Sequence, residues 1–312
     1  MGNPPEAPAI GAERSREDTI NRADGQPVAG RGDGADAPDV LFKEGLAAHR
    51  GGKRERAVES FGRAIAGEPA NADYRWHRAV AYLALGRLEE ATADYREAAR
   101  FRPDSAAYRN DLGVVLARQG RPDEAAAHYR EAIRLKPEFP DAHNNLGNAI
   151  RNKGNNDGAI ACYREALRLR PSYPEAHNNL GIALRQQGKT PEAIACYQEA
   201  LRLRPAYPEA HNNLGLALNS RGRSDAAVAC FQQAIRLKHD YPEAFLNLAN
   251  ALNDLDRNEE AGTALREAIR LRPDARAQEP GHHPRPAGQA RRGDRLLPRG
   301  DPPPLQLRRC SQ

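Results

Sequence analysis

Cysteine and histidine side chains recur at a constant interval in the middle of this chain, and both residue types bind metal ions when several of them converge. The two sets are Cys162, Cys196 and Cys230, and His143, His177 and His211. If each interval of 34 residues folds into one helix pair, equivalent side chains lie roughly 10 Å apart. A disulfide needs Cα atoms within ~7 Å and a Zn–N bond is ~2 Å long. We therefore expect no disulfide, no metal site and no cofactor, and we predict that the cysteines are small buried residues.

The sequence carries none of the common signatures of catalysis. It contains no Gly-rich phosphate loop, no H-E-x-x-H motif and no G-x-S-x-G motif. Acidic pairs such as Glu89 and Glu90 have the pattern of solvated helix faces. We therefore predict that the chain binds other molecules and that it is not an enzyme.

The net charge of +5 is spread unevenly along the chain. Residues 1–37 carry −3 and residues 274–312 carry +4, which leaves +4 for the long middle segment. A nucleic-acid-binding domain concentrates positive charge on one face, and no basic stripe of that kind is visible. No nucleic-acid partner is expected.

Membrane and export signals are also missing from the sequence. No apolar run approaches the ~20 residues that span a bilayer, and the first residues lack the basic and apolar regions of a secretory signal. Glu6 stands where a myristoylation signal needs Ser or Thr. We expect no membrane association and a cytoplasmic location.

The elements that position the side chains are helices of a tandem repeat. From Pro38 the sequence repeats every 34 residues, with starts at 38, 72, 106, 140, 174, 208 and 242. The segment that ends at Pro205 reads YPEAHNNLGIALRQQGKTPEAIACYQEALRLRP, and YPEAHNNLGLALNSRGRSDAAVACFQQAIRLKH begins after Ala206. Positions are counted from each start, so the predicted repeats are 38–71, 72–105, 106–139, 140–173, 174–207, 208–241 and 242–275. Residues 1–37 are rich in Gly, Pro, Ala, Asp and Arg and are predicted to be disordered.

Five positions of the repeat hold nearly constant residue types. Position 8 is Gly or Ala, positions 20 and 27 are Ala, position 24 is large and apolar, and position 32 is Pro except at His239. This pattern resembles the tetratricopeptide repeat (TPR), whose period is also 34. The resemblance implies an all-α fold, a right-handed superhelical solenoid of antiparallel helix pairs over residues 38–273. It also implies that the first helix of each repeat lines a concave groove.

Asparagine is concentrated at groove positions of the later repeats. Position 6 is Asn145, Asn179, Asn213 and Asn247, position 9 adds Asn148 and Asn250, and position 12 adds Arg151, Arg185, Asn219 and Asn253. An amide both donates and accepts hydrogen bonds, so a ladder of amides suits the main chain of an extended peptide. The HNNLG and AIACY motifs resemble bacterial, SPINDLY-type relatives of O-linked N-acetylglucosamine (O-GlcNAc) transferase, whose repeats carry such a ladder. For position 5 (Asn144, Asn178 and Asn212) we expect local hydrogen bonding instead.

Three functions are consistent with this pattern. We favour a scaffold that holds a peptide or partner protein in the groove. The first alternative is a fragment of an O-GlcNAc transferase-like enzyme whose catalytic domain is absent, and the second is an assembly module that self-associates through its last, uncapped repeat. A clamp for a carboxylate tail is disfavoured because Asp73 and Ala107 stand where basic residues are needed beside Lys43.

The sequence after Pro273 breaks from the pattern and becomes basic and rich in Pro and Arg. It reads as a disordered tail, but we favour a frameshifted eighth repeat. Codons allowed for Ala277 to Pro304, read one base later, can spell HKNLGITLARQGKLDEAIACYREAIRL. A small deletion near residues 274–277 would explain the change of frame.

Overall fold

The computed structural model describes residues 37–272, which form fourteen α-helices and no strand in that range. The predicted N-terminal segment up to residue 36 and the tail from residue 273 lie outside the described residues. The helices are α1 (Pro38–Arg50), α2 (Arg54–Gly67), α3 (Ala72–Ala84), α4 (Leu88–Phe101), α5 (Ala106–Arg118), α6 (Pro122–Leu135), α7 (Pro140–Asn152), α8 (Asn156–Leu169), α9 (Pro174–Gln186), α10 (Thr190–Leu203), α11 (Pro208–Asn219), α12 (Ser224–Leu237), α13 (Pro242–Asn253) and α14 (Asn258–Leu271).

The helices form seven pairs, and each odd-numbered helix begins where the sequence predicts a repeat start. We call the odd-numbered helices A helices and the even-numbered ones B helices. Each helix packs against the next along the chain, and A helices also contact the A helix of the following repeat, for example α7 with α9 and α11 with α13. This places the A helices in the inner layer, and the predicted all-α TPR superhelix is confirmed.

Glycine ends the A helices because the turn after them needs a left-handed backbone. Position 15 has a positive φ in every repeat and is glycine in six of them, from Gly52 (φ 72°) to Gly222 (φ 70°). In the last repeat Asp256 takes this conformation, with φ 58°. Side chains with a Cβ adopt it at a cost of roughly 1–2 kcal/mol, so the turn geometry is fixed by the packing of the helix pair.

Within each repeat, a small residue at position 8 lies against the large residue at position 24. A Cβ on Gly181 would come within 2.6 Å of Tyr197, and one on Gly147 within 2.6 Å of Tyr163. The Tyr163 and Tyr197 side chains are fully buried. Close approach of the two helices therefore depends on the glycine. None of the helices in residues 37–272 has the length and apolar character needed to cross a bilayer.

Candidate peptide groove and asparagine ladder

The asparagines at positions 5 and 6 join consecutive A helices. The amide nitrogen of position 6 donates to the amide oxygen of position 5 in the preceding repeat, 35 residues earlier. The pairs are Asn145 to Asn110 (3.1 Å), Asn179 to Asn144 (3.0 Å), Asn213 to Asn178 (2.9 Å) and Asn247 to Asn212 (2.9 Å). We call this set the asparagine ladder, and it runs along the inner layer from α5 to α13.

The ladder is almost entirely covered by protein. The position 5 members Asn144, Asn178 and Asn212 are fully buried, and Asn145, Asn179 and Asn213 are 2–4% exposed. Only Asn247, in the last repeat, is half-buried. We call the contact between two consecutive repeats a joint. Buried amides that bond across a joint fix the register of the neighbouring helices, because a buried hydrogen bond that failed to form would cost free energy.

The same contact is made by other residues at the first two joints. The indole nitrogen of Trp76, at position 5, donates to Asp111 at position 6 of the next repeat over 2.8 Å. At the first joint the rings of Phe42 and His77 meet edge to face with centroids 5.0 Å apart. Positions 5 and 6 therefore link all six joints of the described repeats, with aromatic contacts at one end and amide contacts at the other.

Part of the hydrogen-bonding capacity of the ladder is unused. Within residues 37–272, the buried Oδ1 atoms of Asn145 and Asn179 have no hydrogen-bond partner, and neither have the buried Nδ2 atoms of Asn144 and Asn212. An amide carries two donors and an acceptor with two lone pairs. Acceptors and donors thus remain available along the joints of repeats 4 to 6.

The predicted residues at positions 9 and 12 are more open, and they are not joined into one network. Tyr163 uses its hydroxyl to donate to Asn148 Oδ1 over 2.7 Å, and Arg151 Nε donates to the same hydroxyl over 3.4 Å. Asn219 donates to Asp254 over 2.7 Å.

Three other members of this set are less engaged. Asn250 and Asn253 are exposed. Arg185 is half-buried, and its Nε has no hydrogen-bond partner among the described residues. These side chains stand one to two turns after the ladder on the A helices.

Sequence reasoning missed the role of position 5. We expected local hydrogen bonds there, whereas Asn144, Asn178 and Asn212 accept from the following repeat. The available signal was the joint occurrence of Asn at positions 5 and 6 of successive repeats. Peptide binding by the side chains at position 6 stays a prediction. The same side chains also form hydrogen bonds between consecutive repeats.

A second contact recurs where each B helix ends. Arg170, at position 31, bonds the carboxylate of Asp141 over 2.9–3.0 Å and lies 4.6 Å from the centre of the Tyr173 ring. Arg204 contacts Glu175 and Tyr207 in the same way. Burial, followed by the nearby Asp141 carboxylate, raises the pKa of Tyr173 well above its ordinary value. The arginine at position 31 therefore links the last residues of a repeat to the first helix of the same repeat.

The recurring cysteines and histidines have structural contacts. Burial raises the pKa of Cys162 and Cys230, and raises that of Cys196 to about 11. These side chains are thiols near neutral pH, which are poor nucleophiles. Within residues 37–272 no group of His, Cys, Asp and Glu is placed to hold a metal ion.

Each of the three histidines contacts a proline carbonyl. The Nε2 atoms of His143, His177 and His211 lie 2.9–3.0 Å from the carbonyl oxygens of Pro137, Pro171 and Pro205. Because a carbonyl only accepts, Nε2 carries the proton. The histidines thus stabilise the loop that enters each A helix.

Comparison with known families and structures agrees with this geometry. A family model described as "TPR repeat" matches residues 81–120, 183–219 and 215–256, and models described as "Tetratricopeptide repeat" match 110–174, 162–195 and 242–275. Together these matches extend from residue 81 to residue 275. A search of curated proteins finds no match.

Many solved structures are similar to this chain in fold, among them the following three. The structure "APC/C hetero-tetramer Cut9-Hcn1" matches with a TM-score of 0.65 and 19% identity, over 70% of this chain but only 44% of that chain. Pseudomonas aeruginosa pilF matches with a TM-score of 0.61 and 21% identity, over 70% of this chain and 98% of that one. The type IV pilus biogenesis factor PilW gives 0.61 and 22%, over 69% and 98%. At these identities the likeness concerns the fold alone.

Proposed function

Since the chain belongs to the tetratricopeptide-repeat family, we propose that it is a scaffold that holds an extended segment of a partner protein along its A helices. Solenoids of this kind offer a long concave surface. The proposed binding surface runs over repeats 4 to 7, where the predicted Asn and Arg side chains lie. The partner is a protein or peptide, and no catalytic step is required.

The unused hydrogen-bonding capacity of the ladder is the observation that carries this proposal. A buried polar atom without a partner costs roughly 1–3 kcal/mol, and four such atoms lie on Asn144, Asn145, Asn179 and Asn212. The main chain of an extended peptide offers alternating N–H and C=O groups that would satisfy them whatever its side chains. Such a ligand is recognised mainly through its backbone.

The open side chains at positions 9 and 12 provide the first contacts. The ladder amides are covered in the free chain, so a peptide reaches them only after they turn toward the groove. Asn250 and Asn253 are exposed. Arg185 is half-buried, and its buried Nε bonds nothing in residues 37–272. An arginine with unused donors favours carbonyl or carboxylate groups of the partner.

A peptide selection followed by matched variants tests the proposal. Peptides are selected on the full chain from a random library, and their affinities are measured for a groove variant that combines Arg185→Gln, Asn250→Ala and Asn253→Ala. The control is Arg168→Gln on α8, whose guanidinium pairs with Glu165 on the same helix. We expect the groove variant to bind at least ~10-fold more weakly, which corresponds to about 1.4 kcal/mol. Equal binding by the groove variant, or loss in the control alone, would refute the proposal.

Two narrower functions also remain proposals. The likeness of the HNNLG and AIACY motifs to O-GlcNAc transferase repeats supports a chain that recruits substrates for a glycosyltransferase domain, and a coding sequence for such a domain in the same gene would establish it. Self-association is favoured by one observation: Ile269 at the end of the array is 45% exposed. Sedimentation of the full chain over a range of concentrations distinguishes a monomer from an assembly.

A further inference from the structure

A cavity of about 350 Å³ opens between the B helices α4 and α6 and the A helix α5. It is lined by Arg96, Ala99, Arg100, Arg109, Leu112 and His128. Four of these six side chains are basic. The cavity belongs to the joint between repeats 2 and 3 and is separate from the proposed peptide surface over repeats 4 to 7.

The cavity is lined by a residue of repeat 2 that is unusually small for its position, position 28. Other repeats carry a larger side chain there that packs against the next repeat, namely Ile65, Ile133, Leu167, Leu201 and Ile235. Ala99, which is 3% exposed, is the smallest residue at this position and lines the cavity. The residues around the space also depart from the repeat pattern, since His128 stands where repeats 4 to 6 have cysteine.

Arg109 lacks the hydrogen bond that its counterparts make. At the same position in repeat 2, Arg75 donates from Nε and Nη2 to the carbonyl oxygen of Pro69 over 3.2 and 2.9 Å. His143 contacts the carbonyl of Pro137 in the same way. The buried Nε of Arg109 has no hydrogen-bond partner in residues 37–272. A buried guanidinium donor without an acceptor indicates that one is missing.

The carboxylates near the cavity form their ion pairs with arginines other than Arg96 and Arg109. Arg100 is paired with Glu97, whereas Glu124 pairs with Arg121 and Glu131 pairs with Arg134, at the outer edge. Within the described residues, no carboxylate lies within bonding distance of Arg96 or Arg109. Arg96 and Arg109 therefore form no direct ion pair there, although the charges of Glu124 and Glu131 act on them from a greater distance.

We propose that this cavity binds a phosphate group, held by Arg96 and Arg109 with His128 as a third donor. Guanidinium groups match phosphate oxygens in pairs, and a tetrahedral anion fits the cavity that Ala99 lines. Burial, followed by the charges of Arg109 and Arg96, lowers the pKa of His128, and Glu124 and Glu131 act weakly in the other direction. A bound phosphate would raise that pKa, so binding strengthens as the pH falls through the titration range of His128.

Filling the cavity without changing any charge is the sharpest test. Ala99→Ile introduces the residue that repeats 1, 3 and 6 already carry at this position, so the variant is expected to fold. Isothermal titration of the full chain with inorganic phosphate, and separately with a phosphoserine peptide and its unphosphorylated form, measures binding and identifies the source of the phosphate group.

We expect Ala99→Ile and Arg109→Gln each to weaken phosphate binding at least ~10-fold. The control Arg130→Gln removes the position 25 arginine of the next joint, where Ile133 packs against the following repeat, and is expected to change nothing. Absence of phosphate binding by the unaltered chain, or unchanged binding by Ala99→Ile with a native thermal transition, would overturn the proposal. This outcome is independent of peptide binding on the A helices.

A separate observation concerns the end of the array, where α13 and α14 present apolar side chains. Ile269, at position 28, is 45% exposed, and Leu246, at position 5, is 38% exposed. In repeats 1 and 3 to 6 the side chain at position 28 packs against the following repeat. In every earlier repeat the side chain at position 5 contacts position 6 of the next A helix. In the earlier repeats the following repeat therefore covers this apolar face.

The codons allowed for the residues after Pro273 can encode a further A helix in another frame. Read one base later, the codons allowed for residues 277–303 can spell the repeat HKNLGITLARQGKLDEAIACYREAIRL. The same frame continues over residues 304–311 as RSNYADAH, which matches the RPSYPEAH of residues 170–177. The two His codons then start at residues 277 and 311, which are 34 residues apart. This spacing equals the repeat period.

We infer that the intact gene product covers Ile269 and Leu246 with an eighth repeat and enters a ninth. Sequencing the source DNA through the codons for residues 270–312 decides the matter, because the third bases are not fixed by this protein sequence. The expected bases spell the repeat, and restoring the frame is expected to raise the denaturation midpoint of the full chain. Third bases that do not spell the repeat would overturn the inference. A concentration-dependent dimer that Ile269→Lys abolishes would then identify a second copy as the occupant.

Discussion

The amide nitrogen of Asn179 donates to the amide oxygen of Asn144 over 3.0 Å, and so joins side chains 35 residues apart on consecutive A helices. Both side chains are buried, at 4% and 0% exposed. The bond therefore forms only when the two repeats stack in the correct register. Asparagine at these positions therefore stabilises the stacking of the repeats whether or not a ligand is bound.

Asn179→Ala is expected to lower the free energy of unfolding by roughly 1–3 kcal/mol, because Asn144 Oδ1 is left buried without its donor. The double variant Asn144→Leu/Asn179→Leu is expected to recover part of this loss, since both polar groups are then removed together. Urea denaturation followed by circular dichroism measures both. The exposed Asn253→Ala serves as the control, with a change within about 0.5 kcal/mol, and a similar loss in that control would contradict the interpretation.

The repeat register was predicted from the sequence, whereas the hydrogen bonds between positions 5 and 6 of neighbouring repeats were not. Proline at Pro140, Pro174 and Pro208 marks helix starts through a local preference that acts within a few residues. The pairing of Asn144 with Asn179 depends on how two helices meet in space, and helix-local rules favour a bond to the nearby backbone. Asp256 shows the same limit, because its left-handed backbone is imposed by the helix pair and not by its residue type.

Asp256→Gly is expected to stabilise the last repeat by about 1 kcal/mol, because glycine adopts a left-handed backbone without a Cβ penalty. The six equivalent turns already use glycine, with φ between 70° and 82°. The reverse change, Gly188→Asp, is expected to destabilise by a similar amount. Thermal denaturation of both variants measures the pair of effects, and a lower midpoint for Asp256→Gly would show that the Asp256 side chain makes a contact worth more than the strain.

Cys196 is expected to react slowly with alkylating reagents at pH 8. Its pKa of about 11 leaves about 0.1% as thiolate, compared with about a quarter for a free thiol with a pKa near 8.5. The rate should rise with pH until about 11, as long as the fold persists. Iodoacetamide labelling followed by peptide mass spectrometry, with urea-unfolded chain as the reference, measures this rate. Labelling of the native chain as fast as the unfolded chain would contradict the burial of the thiol.

The raised pKa of Cys196 also makes the free energy of unfolding depend on pH. Because the thiol pKa is raised on folding, its contribution is complete below the pKa of the unfolded thiol and is lost as the pH rises toward about 11. Cys196→Ala is expected to remove this part of the alkaline loss of stability. Denaturation midpoints measured between pH 7 and pH 10 in both chains provide the comparison.

Arg78 and Asp94 form an ion pair at a place where later repeats are apolar. Arg78 Nε and Nη2 donate to the two carboxylate oxygens over 2.6 and 2.7 Å, and Asp94 is 4% exposed. At the same two positions repeats 4 to 6 carry leucine and cysteine, as in Leu146 and Cys162. The pair is therefore replaceable by residues that already pack well in this array.

Asp94→Ala is expected to destabilise by about 3 kcal/mol, because it leaves Arg78 partly buried without its partner. The double variant Arg78→Leu/Asp94→Cys is expected to be neutral or more stable than the unaltered chain, since removing both charges avoids their desolvation. Denaturation of Arg78→Leu, Asp94→Cys and the double variant, compared with the unaltered chain, gives the coupling energy. A double variant as unstable as Asp94→Ala would contradict this expectation. It would mean that Arg78 and Asp94 pack in a way that leucine and cysteine do not reproduce, so that the side-chain packing of repeat 2 differs from that of repeat 4.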